Sequence, residues 1–492
     1  MATKKDLVEA YSFSRRRLVT AFVSGAPGGR EVEPSRPGRT IVGGLALAVL
    51  LCAGAAIAGV FKPDANVDWD QPGLILSKEK GAAYVILEPD EDGDAQVRPV
   101  INVTSAQLIL GADVEPDVVP QSVIDEKTPG ADIGILGAPV TVPSTEVLIQ
   151  TGWTACTNDD RGTRFTVSAK PDVVPAPNGG LVVKSGSSHY LIAPSEPDST
   201  GESRAYRYQL PSKAETPGRD NLLNNIGLPG AGSAPTVPAE WLALFPAGGP
   251  LKMESFGLDR LGKPSLQAGQ GGLPGDAKIG DFYDIDEELT VLTAEGPVVL
   301  SEFAREVYLE IRPDSTTDLE LTEPADVSQA AEAPYAAARW PAGALTAIEG
   351  EQCVQLLLEP GELPRAVLVQ QPGATASAEE VEADDREVTV DPGTGAFVLS
   401  GGWYDPEVGE PFLMDAKGFS YPVLGTDAVE NLGFADYDAP VVPEGWLELF
   451  EEGEELSVDA ALCPPVPVSR EDRAEEGGQE PDDGDRRAQS CE

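Results

Sequence analysis

The stretch NIGLPGAGSAPTVPAEWLALFPAGGPL, which begins at Asn225, returns in altered form at Asn431 as NLGFADYDAPVVPEGWLELFEEGEEL. The two copies share N-[IL]-G, a core of V-P-x-x-W-L-x-L-F and a closing leucine, so that Trp241 and Trp446 are equivalent residues 205 positions apart. Self-similarity at a fixed spacing is typical of a duplicated architecture. The sequence therefore predicts two related halves.

A shorter unit recurs four times and predicts a strand, a tight turn and a second strand each time. A helical stretch follows, as in NVTSAQLILG from Asn102, where Thr104 or Ser105 is the expected cap. Each ββα-like module is too small to be stable alone, so we expect the modules to pack on something central. The four copies are LILSKEKGAAYVIL from Leu74, LVVKSGSSHYLIA from Leu181, FYDIDEELTVLT from Phe282 and FLMDAKGFSYPVL from Phe412.

Two stretches between the modules, roughly 116–175 and 325–400, are rich in predicted strands and are punctuated by Gly and Pro. Each contains one cysteine, and Cys156 and Cys353 are 197 residues apart, close to the repeat spacing. Equivalent residues meet near a pseudo-twofold axis, so an oxidising compartment favours a Cys156–Cys353 disulfide that joins the halves. The predicted fold class is α+β: a single N-terminal transmembrane helix, then an elongated pseudo-twofold ectodomain of repeated ββα-like modules around a central β-rich domain.

These patterns divide the chain into nine predicted segments. They are a cytoplasmic amphipathic and basic arm (1–40), a transmembrane helix (41–61), repeat module 1 (62–115), the first part of the central domain (116–175), repeat module 2 with its Trp segment (176–275), repeat module 3 (276–324), the second part of the central domain (325–400), repeat module 4 with its Trp segment (401–463) and a disordered acidic tail (464–492).

The uncharged segment from Ile41 to Phe61, IVGGLALAVLLCAGAAIAGVF, is 21 residues long. A helix of that length spans about 30 Å, the thickness of the bilayer hydrocarbon. The forty residues before it carry eight Lys and Arg against four acidic residues, whereas the residues after it carry 27 against 78. Because cationic loops stay on the cytoplasmic side, we expect the N-terminus inside and the ectodomain outside.

Two alternatives concern this N-terminal region. Ala56-Ile57-Ala58 resembles a signal-peptidase site, but a secretory apolar region is usually shorter and follows its basic region closely, so we expect a retained anchor. In the arm, Leu7, Tyr11, Leu18 and Phe22 have helical spacing beside the basic cluster 15–17. This pattern suits an orientation signal resting on lipid headgroups and a docking helix for a cytoplasmic partner equally well.

Composition excludes several classes of function. The 492 residues include 35 Lys and Arg against 82 Asp and Glu, a net charge of −47, which argues against extended binding to nucleic acid. His189 is the single histidine, so no cluster of histidines can ligate a metal. Its strand pattern, SSHYLIA, favours a structural residue over a catalytic base. The acidity itself is compatible with tolerance of high salt or with self-repulsion for solubility.

The most tempting motif is Gly257-Leu-Asp-Arg-Leu-Gly262-Lys263-Pro264, which matches a phosphate-binding P-loop except at the last position. Pro264 brings no hydroxyl for Mg²⁺, and Ser265 is one place late. The loop also falls outside the predicted cytoplasmic segment, away from nucleoside triphosphates. We therefore interpret it as a linker.

Two acidic patterns are also weak. Asp90 to Asp94 begins like a calcium loop but has Ala95 and Ile101 where that loop needs Gly and Glu, which favours a hairpin turn. The pairs Glu379-Glu380 and Asp384-Asp385 lie in charged runs with no apolar surroundings to raise a pKa. The sequence thus predicts no catalytic, cofactor-binding or metal-binding residue and no cofactor.

Taken together, these features resemble the EccB component of actinobacterial type VII (ESX) secretion systems over nearly the whole chain. The stretches that carry the resemblance are AYSFSRRRLVTAF, VRPVINVTSAQLILG, GILGAPVTVPSTEVLIQTGWTAC through Trp153 and Cys156, the Asn225 Trp segment, and LSVDAAL at Leu456 to Leu462. The strong acidity and the extra Cys463 depart from the family pattern.

The resemblance implies a single-pass inner-membrane subunit in a secretion complex with EccC-, EccD- and EccE-type partners, as a homo-oligomer in contact with membrane lipid. It implies a structural subunit that stabilises the extracytoplasmic side of the complex for protein export. An extracytoplasmic nucleotide hydrolase is the alternative, and it would depend on the loop from Gly257 to Lys263. A cell-wall-binding module is a third option, for which six tryptophans offer few platforms.

Overall fold

The computed structural model describes residues 4, 5, 8, 10–15, 67–87, 96–127, 129–371, 377–406 and 408–465. The chain divides into two units, Met1–Val67 and Asp68–Glu492. In the first unit, the described residues of the arm are helical.

Among the described residues, no helix combines the length and the apolar character needed to cross a bilayer. The predicted membrane segment 41–61 lies outside the described residues, as do the Asp90–Asp94 motif and the acidic tail from residue 466. These predictions stay predictions.

The described part of the second unit forms five β-sheets, four of them small. The first contains β1 (Gly73–Ser77), β2 (Ala83–Ile86), β3 (Val97–Val100) and β4 (Asp117–Val119); the central sheet contains β5 (Trp153–Thr157), β6 (Thr163–Val167), β7 (Val174–Pro175), β15 (Gln352–Leu357), β16 (Arg365–Gln370) and β17 (Arg386–Val390); the second small sheet contains β8 (Gly179–Ser185), β9 (Ser188–Pro194), β10 (Ala205–Gln209) and β14 (Thr346–Ala347); the third contains β11 (Phe282–Ile285), β12 (Glu288–Leu292) and β13 (Pro297–Val299); and the fourth contains β18 (Ala396–Gly401), β19 (Glu410–Met414), β20 (Phe419–Pro422), β21 (Val441–Pro443) and β22 (Glu451–Glu452).

Short helices connect these strands. The α-helices are α1 (Val103–Leu110), α2 (Gln121–Asp125), α3 (Arg219–Asn225), α4 (Ala239–Ala243), α5 (Glu302–Ile311), α6 (Thr426–Asn431), α7 (Glu444–Leu447) and α8 (Val458–Leu462), and the 3₁₀ helices are Thr145–Val147, Ala231–Ser233, Met253–Phe256, Ala336–Ala338 and Ala378–Glu380.

The predicted cap of α1 was wrong. Asn102 is the N-cap, and its side-chain oxygen accepts the Ser105 backbone N–H at 2.8 Å. Ser105 is instead buried, and its hydroxyl accepts the Ile135 backbone N–H at 2.9 Å. The Thr104 hydroxyl donates to the Pro139 carbonyl at 2.6 Å. Both hydroxyls thus bond to backbone groups of the segment that follows the first sheet, and Asn102 alone caps the helix.

Each small sheet contains three consecutive antiparallel strands, extended in the first, second and fourth by short parallel strands from more distant parts of the chain. The hairpin sequences quoted from Leu74, Leu181 and Phe282 fall on the first and second strands of their sheets. The one quoted from Phe412 falls on the second and third strands, β19 and β20. Sequence likeness between these hairpins therefore does not mark equivalent strand positions.

Three strands cross the expected segment boundaries; one is β14, which lies in the expected central domain but pairs with β8 of the second small sheet. β4 pairs with β1 in the first sheet, although residues from 116 onward were expected in the central domain. β18 begins at Ala396 and pairs with β19 in the fourth sheet, five residues before the expected start of module 4. Hydrogen bonding to a strand elsewhere in the chain, rather than local composition, decides to which sheet each belongs.

The six-stranded central sheet has the order β17-β6-β5-β15-β16-β7 and takes its strands from two separate segments, 153–175 and 352–390. One face carries the largest buried core, which also includes both Trp segments. A second core joins the second and third small sheets, and a third joins α1 to the fourth sheet. The Asn431 side-chain N–H donates to the Leu108 carbonyl at 2.6 Å, so α1 and α6 are also joined by a direct hydrogen bond.

Candidate functional site at the junction of the halves

The two Trp segments form short helices that begin directly after a proline. Pro238 is the N-cap of α4, and Pro443 is the N-cap of α7. A proline before the first turn fixes an extended entry and costs the helix no internal hydrogen bond. Trp241 and Trp446 are both 0% exposed, which confirms that they are packing residues of the isolated fold.

Around Trp446 the core is mostly aromatic. Phe450 contacts Trp153 edge to face with ring centroids 5.4 Å apart, and contacts Phe165 at 5.0 Å. Phe165 also contacts Trp446 at 6.1 Å. Edge-to-face aromatic pairs add roughly 0.5–1.5 kcal/mol each beyond the burial of their area. The residues after Trp446 are thereby fixed to the central sheet, which carries Trp153 and Phe165.

The indole N–H groups of the two Trp segments have different acceptors. Trp241 Nε1 donates to the Ala155 carbonyl of β5 at 3.1 Å. Trp446 Nε1 donates to the Leu244 carbonyl at 3.2 Å, and Leu244 belongs to the other Trp segment. Both segments therefore pack on the central sheet, and the second is also hydrogen-bonded to the first.

The predicted disulfide is present. Cys156 on β5 and Cys353 on β15 lie directly opposite each other in an antiparallel ladder, with sulfur atoms 2.10 Å apart and Cα atoms 4.1 Å apart. Both are buried, in a small cluster with Val369 and Ala378 that is separate from the aromatic core. The bond links the strands contributed by the two segments of the central sheet. Cys463 is also disulfide-bonded.

The disulfide also bears on whether its two cysteines can bind a metal ion. Cys156, Cys353 and Glu351 offer ligand atoms within 4.8 Å of one another, the one such group among the described residues. Sulfur atoms bonded to each other supply no thiolate, which is the form that binds metal. The Glu351 carboxylate accepts hydrogen bonds from the Ser377 hydroxyl and, at 2.9 Å, from the Ala378 backbone N–H. These hydrogen bonds hold Ser377 and Ala378 beside Glu351, and Ala378 packs against both cysteines.

The segment from Gly257 to Pro264 does not have the geometry of a phosphate loop. The Gly262 N–H donates to the Ile279 carbonyl at 2.8 Å, and the Lys263 N–H donates to the Arg260 carbonyl at 3.0 Å. A phosphate loop instead directs such N–H groups at its ligand and leads into a helix. Pro264 here forms an isolated antiparallel bridge with Lys278, and no residue of 264–280 is helical.

The neighbouring hydroxyl does not repair the motif. Ser265 is 8% exposed, and its hydroxyl accepts the Gln267 backbone N–H at 3.2 Å. It is therefore committed to its own turn. Lys263 is exposed to solvent.

His189 lies on β9, paired with Lys184 of β8. Partial burial lowers the pKa of His189, and the charges of Arg219 and Lys184 lower it further. Cationic neighbours favour the neutral form of the imidazole. Among the described residues, no hydrogen bond joins the His189 ring to a serine, threonine or cysteine side chain. The geometry is that of a structural histidine.

The parts described so far define a class: an α+β protein of small sheets gathered on a central sheet, with its two segments joined by a disulfide and two buried Trp helices. The family model described as "Type VII secretion system ESX-1, transport TM domain B" matches residues 1–466. The chain therefore belongs to the EccB family of type VII secretion systems.

Individual relatives agree with this assignment. A protein of Mycolicibacterium smegmatis (strain MKD8) named ESX-1 secretion system ATPase EccB1 is 23% identical over 512 residues, which cover 94% of this chain and 95% of the relative. The protein of the same name from Mycobacterium tuberculosis (strain ATCC 25618 / H37Rv) is 24% identical over 498 residues, 94% of each chain.

Two solved structures share the fold. A chain of the intact ESX-5 inner membrane complex aligns with a TM-score of 0.56 at 20% identity and covers 95% of this chain and 96% of its own length. A chain of the EccB3 dimer from the ESX-3 core complex aligns with a TM-score of 0.54 at 21% identity, covering 79% of this chain and 99% of its own.

Proposed function

We propose that this chain is a structural subunit of an inner-membrane type VII secretion complex and that it stabilises the extracytoplasmic side of the complex during protein export. The observation that carries the proposal is the junction of the halves, where buried tryptophans and a disulfide hold the sheets together. A disulfide persists in an oxidising compartment, which agrees with an extracytoplasmic body. A body joined in this way keeps a fixed shape, as a spacing subunit must.

The proposed architecture places residues 41–61 across the membrane, with a cytoplasmic N-terminus and a pseudo-twofold ectodomain of four repeat modules. The 21 uncharged residues and the basic arm before them support this topology. We propose EccC-, EccD- and EccE-type membrane subunits as partners, and assembly with further copies of the chain. The last point is supported by the shared fold of the EccB3 dimer.

Copurification tests the proposed role. The chain carries an affinity tag, is solubilised from native membranes in mild detergent, and is purified together with whatever remains bound. We expect the other membrane subunits of the secretion complex, and we expect loss of the chain to stop export. A chain that purifies alone, under conditions that preserve the complex when another subunit carries the tag, would contradict the proposal.

Protease added to cells with permeabilised walls tests the topology. We expect a membrane-held fragment of roughly the first 60 residues. Protection of the C-terminus would reverse the orientation, and release of an intact soluble ectodomain would show that the N-terminal segment is cleaved as a signal peptide.

An extracytoplasmic nucleotide hydrolase is the second candidate, because the curated relatives carry the word ATPase in their names. That activity would have to use the Gly257–Lys263 loop, whose N–H groups at Gly262 and Lys263 are already bonded within the protein. The geometry therefore favours the structural role.

A further inference from the structure

One face of the second small sheet changes character along its length. Side chains at alternate positions of a strand share a face, and on β8, β9 and β10 one face supplies apolar residues to the central core. Towards one end of the strands, the same face carries polar residues instead. The apolar set is Leu181, Val183, Ile192 and Ala205, and the polar set is Ser185, Tyr190, Arg207 and Gln209.

The polar set lines a cavity of about 440 Å³. Its other wall comes from α4 and the turn after it: Ala239, Leu242, Ala247, Gly248 and Pro250. A Cβ at Gly248 would lie 2.2 Å from the Tyr208 ring, so this position requires glycine. The volume falls in the range of small-molecule sites.

Arg207 is the one charged residue in the lining, in a chain whose net charge is −47. Its Nη1 donates to the Leu242 carbonyl at 3.0 Å, which holds the side chain against the cavity wall. None of the ion pairs between described residues involves Arg207. The site therefore offers a positioned guanidinium that no carboxylate of the described residues neutralises.

The rest of the lining selects the chemistry of a ligand. A guanidinium matches a carboxylate geometrically, and the hydroxyls of Ser185 and Tyr190 and the amide of Gln209 can donate further hydrogen bonds to it. Leu242, Ala239 and Pro250 supply apolar surface for the carbon atoms next to that carboxylate. No acidic lining residue would repel it.

We propose that this cavity, which we call the Arg207 cavity, binds a small carboxylate: the C-terminal carboxylate of a peptide or a free carboxylic acid. The Arg207 guanidinium pairs with the carboxylate, and the small residues of the α4 wall leave room for a short aliphatic group. This site is independent of the structural role of the junction.

Saturation-transfer NMR on the full chain in detergent tests the proposal with three probes. N-acetyl-alanine represents a peptide C-terminus, butyrate represents a free acid, and N-acetyl-alanine amide is the neutral match. We expect at least one of the two acids to bind. Where N-acetyl-alanine binds, its amide should bind at least tenfold more weakly. Binding of N-acetyl-alanine alone identifies the peptide source, and binding of butyrate alone identifies a free acid. Equal binding of acid and amide, or no binding of either acid, would overturn the proposal.

Variants locate the binding in this cavity. Arg207→Gln should weaken acid binding at least tenfold, and Ala239→Leu should do the same by filling the space while leaving the guanidinium in place. Arg161→Gln removes an exposed arginine outside the lining and should leave binding unchanged. Acid binding that survives both cavity variants, or that Arg161→Gln reduces equally, would assign it to general charge attraction.

Discussion

The two Trp segments have the same sequence pattern and different surroundings. Both begin after a proline, form a short helix and bury their tryptophan completely. Trp241 donates its indole N–H to Ala155 in the central sheet, whereas Trp446 donates to Leu244 in the first segment. Both segments contact the central sheet, but only the second uses its indole N–H to bind the other segment.

This difference shows what a repeated sequence pattern preserves. The entry after a proline, the short helix and the buried tryptophan occur in both segments. The hydrogen-bond acceptor of each tryptophan depends on which residues surround its segment, and the two segments occupy different places in the fold. The two Trp segments are therefore not interchangeable, although their sequences are similar.

The largest expected effect comes from breaking the covalent link between the halves. Replacing Cys156 and Cys353 by serine removes a bond that closes a loop of 197 residues. In the chain-entropy model, a loop of that size stabilises the fold by about 5 kcal/mol. Denaturant unfolding of the purified full chain in detergent, under oxidising conditions, measures the loss in the free energy of unfolding.

The matched control is the wild type and the double variant both under reducing conditions, because reduction also opens the disulfide of Cys463 and so removes it from both proteins. Once reduced, the two proteins should unfold at nearly the same denaturant concentration. A double variant as stable as the oxidised wild type would mean that the noncovalent junction alone holds the halves. Peptide mapping without reduction checks the Cys156–Cys353 pairing directly.

Truncating each tryptophan tests how much its buried side chain stabilises the fold. Removing a buried Trp side chain costs roughly 3–5 kcal/mol, so Trp241→Ala and Trp446→Ala should each lower the melting temperature by several degrees. Thermal melts of the two variants measure this. Trp69→Ala is the control, since that partly buried tryptophan lies outside the core that holds Trp241 and Trp446 and should cost much less. Normal melting combined with failed complex assembly would instead make Trp241 and Trp446 contacts for partner subunits.

A milder change distinguishes the two contacts. Trp241→Phe and Trp446→Phe keep an aromatic ring but remove one buried N–H hydrogen bond, worth about 1 kcal/mol. Hydrogen exchange should then speed up roughly fivefold in different places: in β5 for Trp241→Phe and in α4 for Trp446→Phe. The same exchange pattern in both variants would contradict the different acceptors of the two indole N–H groups.

The parts of the junction that can be predicted from the sequence are those with matching patterns or positions along the chain. The repeated V-P-x-x-W pattern identified both buried tryptophans, and the matching positions of Cys156 and Cys353 identified their pairing. The choice of Leu244 as the acceptor for Trp446 leaves no signal in the sequence, because a backbone carbonyl is present at every position. Trp153 and Phe165, which receive the second segment, lie in the central sheet rather than in a repeat, so the duplication gave no pointer to them.

Long-range pairing limits the rest. The short strands β4, β14 and β21 each complete a sheet whose other strands come from elsewhere in the chain, and two or three residues carry too little pattern to be recognised. Asn102 caps the helix in place of the expected residues, because the hydroxyls of Thr104 and Ser105 bond to Pro139 and Ile135, which are 35 and 30 residues away. The Arg207 cavity has no signal in the sequence for a similar reason. Its walls come from β8, β9 and β10 and from α4 with the turn after it.

The smallest expected effect concerns a segment that lies outside the junction. Lys263→Ala removes the residue that a hydrolase would need at its phosphates. Because the Gly262 and Lys263 N–H groups are bonded to Ile279 and Arg260, and because Lys263 is exposed, we expect no change in stability and no loss of export in a complemented null strain. Purified wild-type and variant chains should release phosphate from ATP at the same rate as a blank prepared from cells without the chain. Lys278→Ala, which changes the residue bridged to Pro264, serves as a control for local disturbance of the loop. A turnover that wild type shows and Lys263→Ala alone loses would place a nucleotide site in this loop and make catalysis, rather than the asymmetric junction, the function to explain.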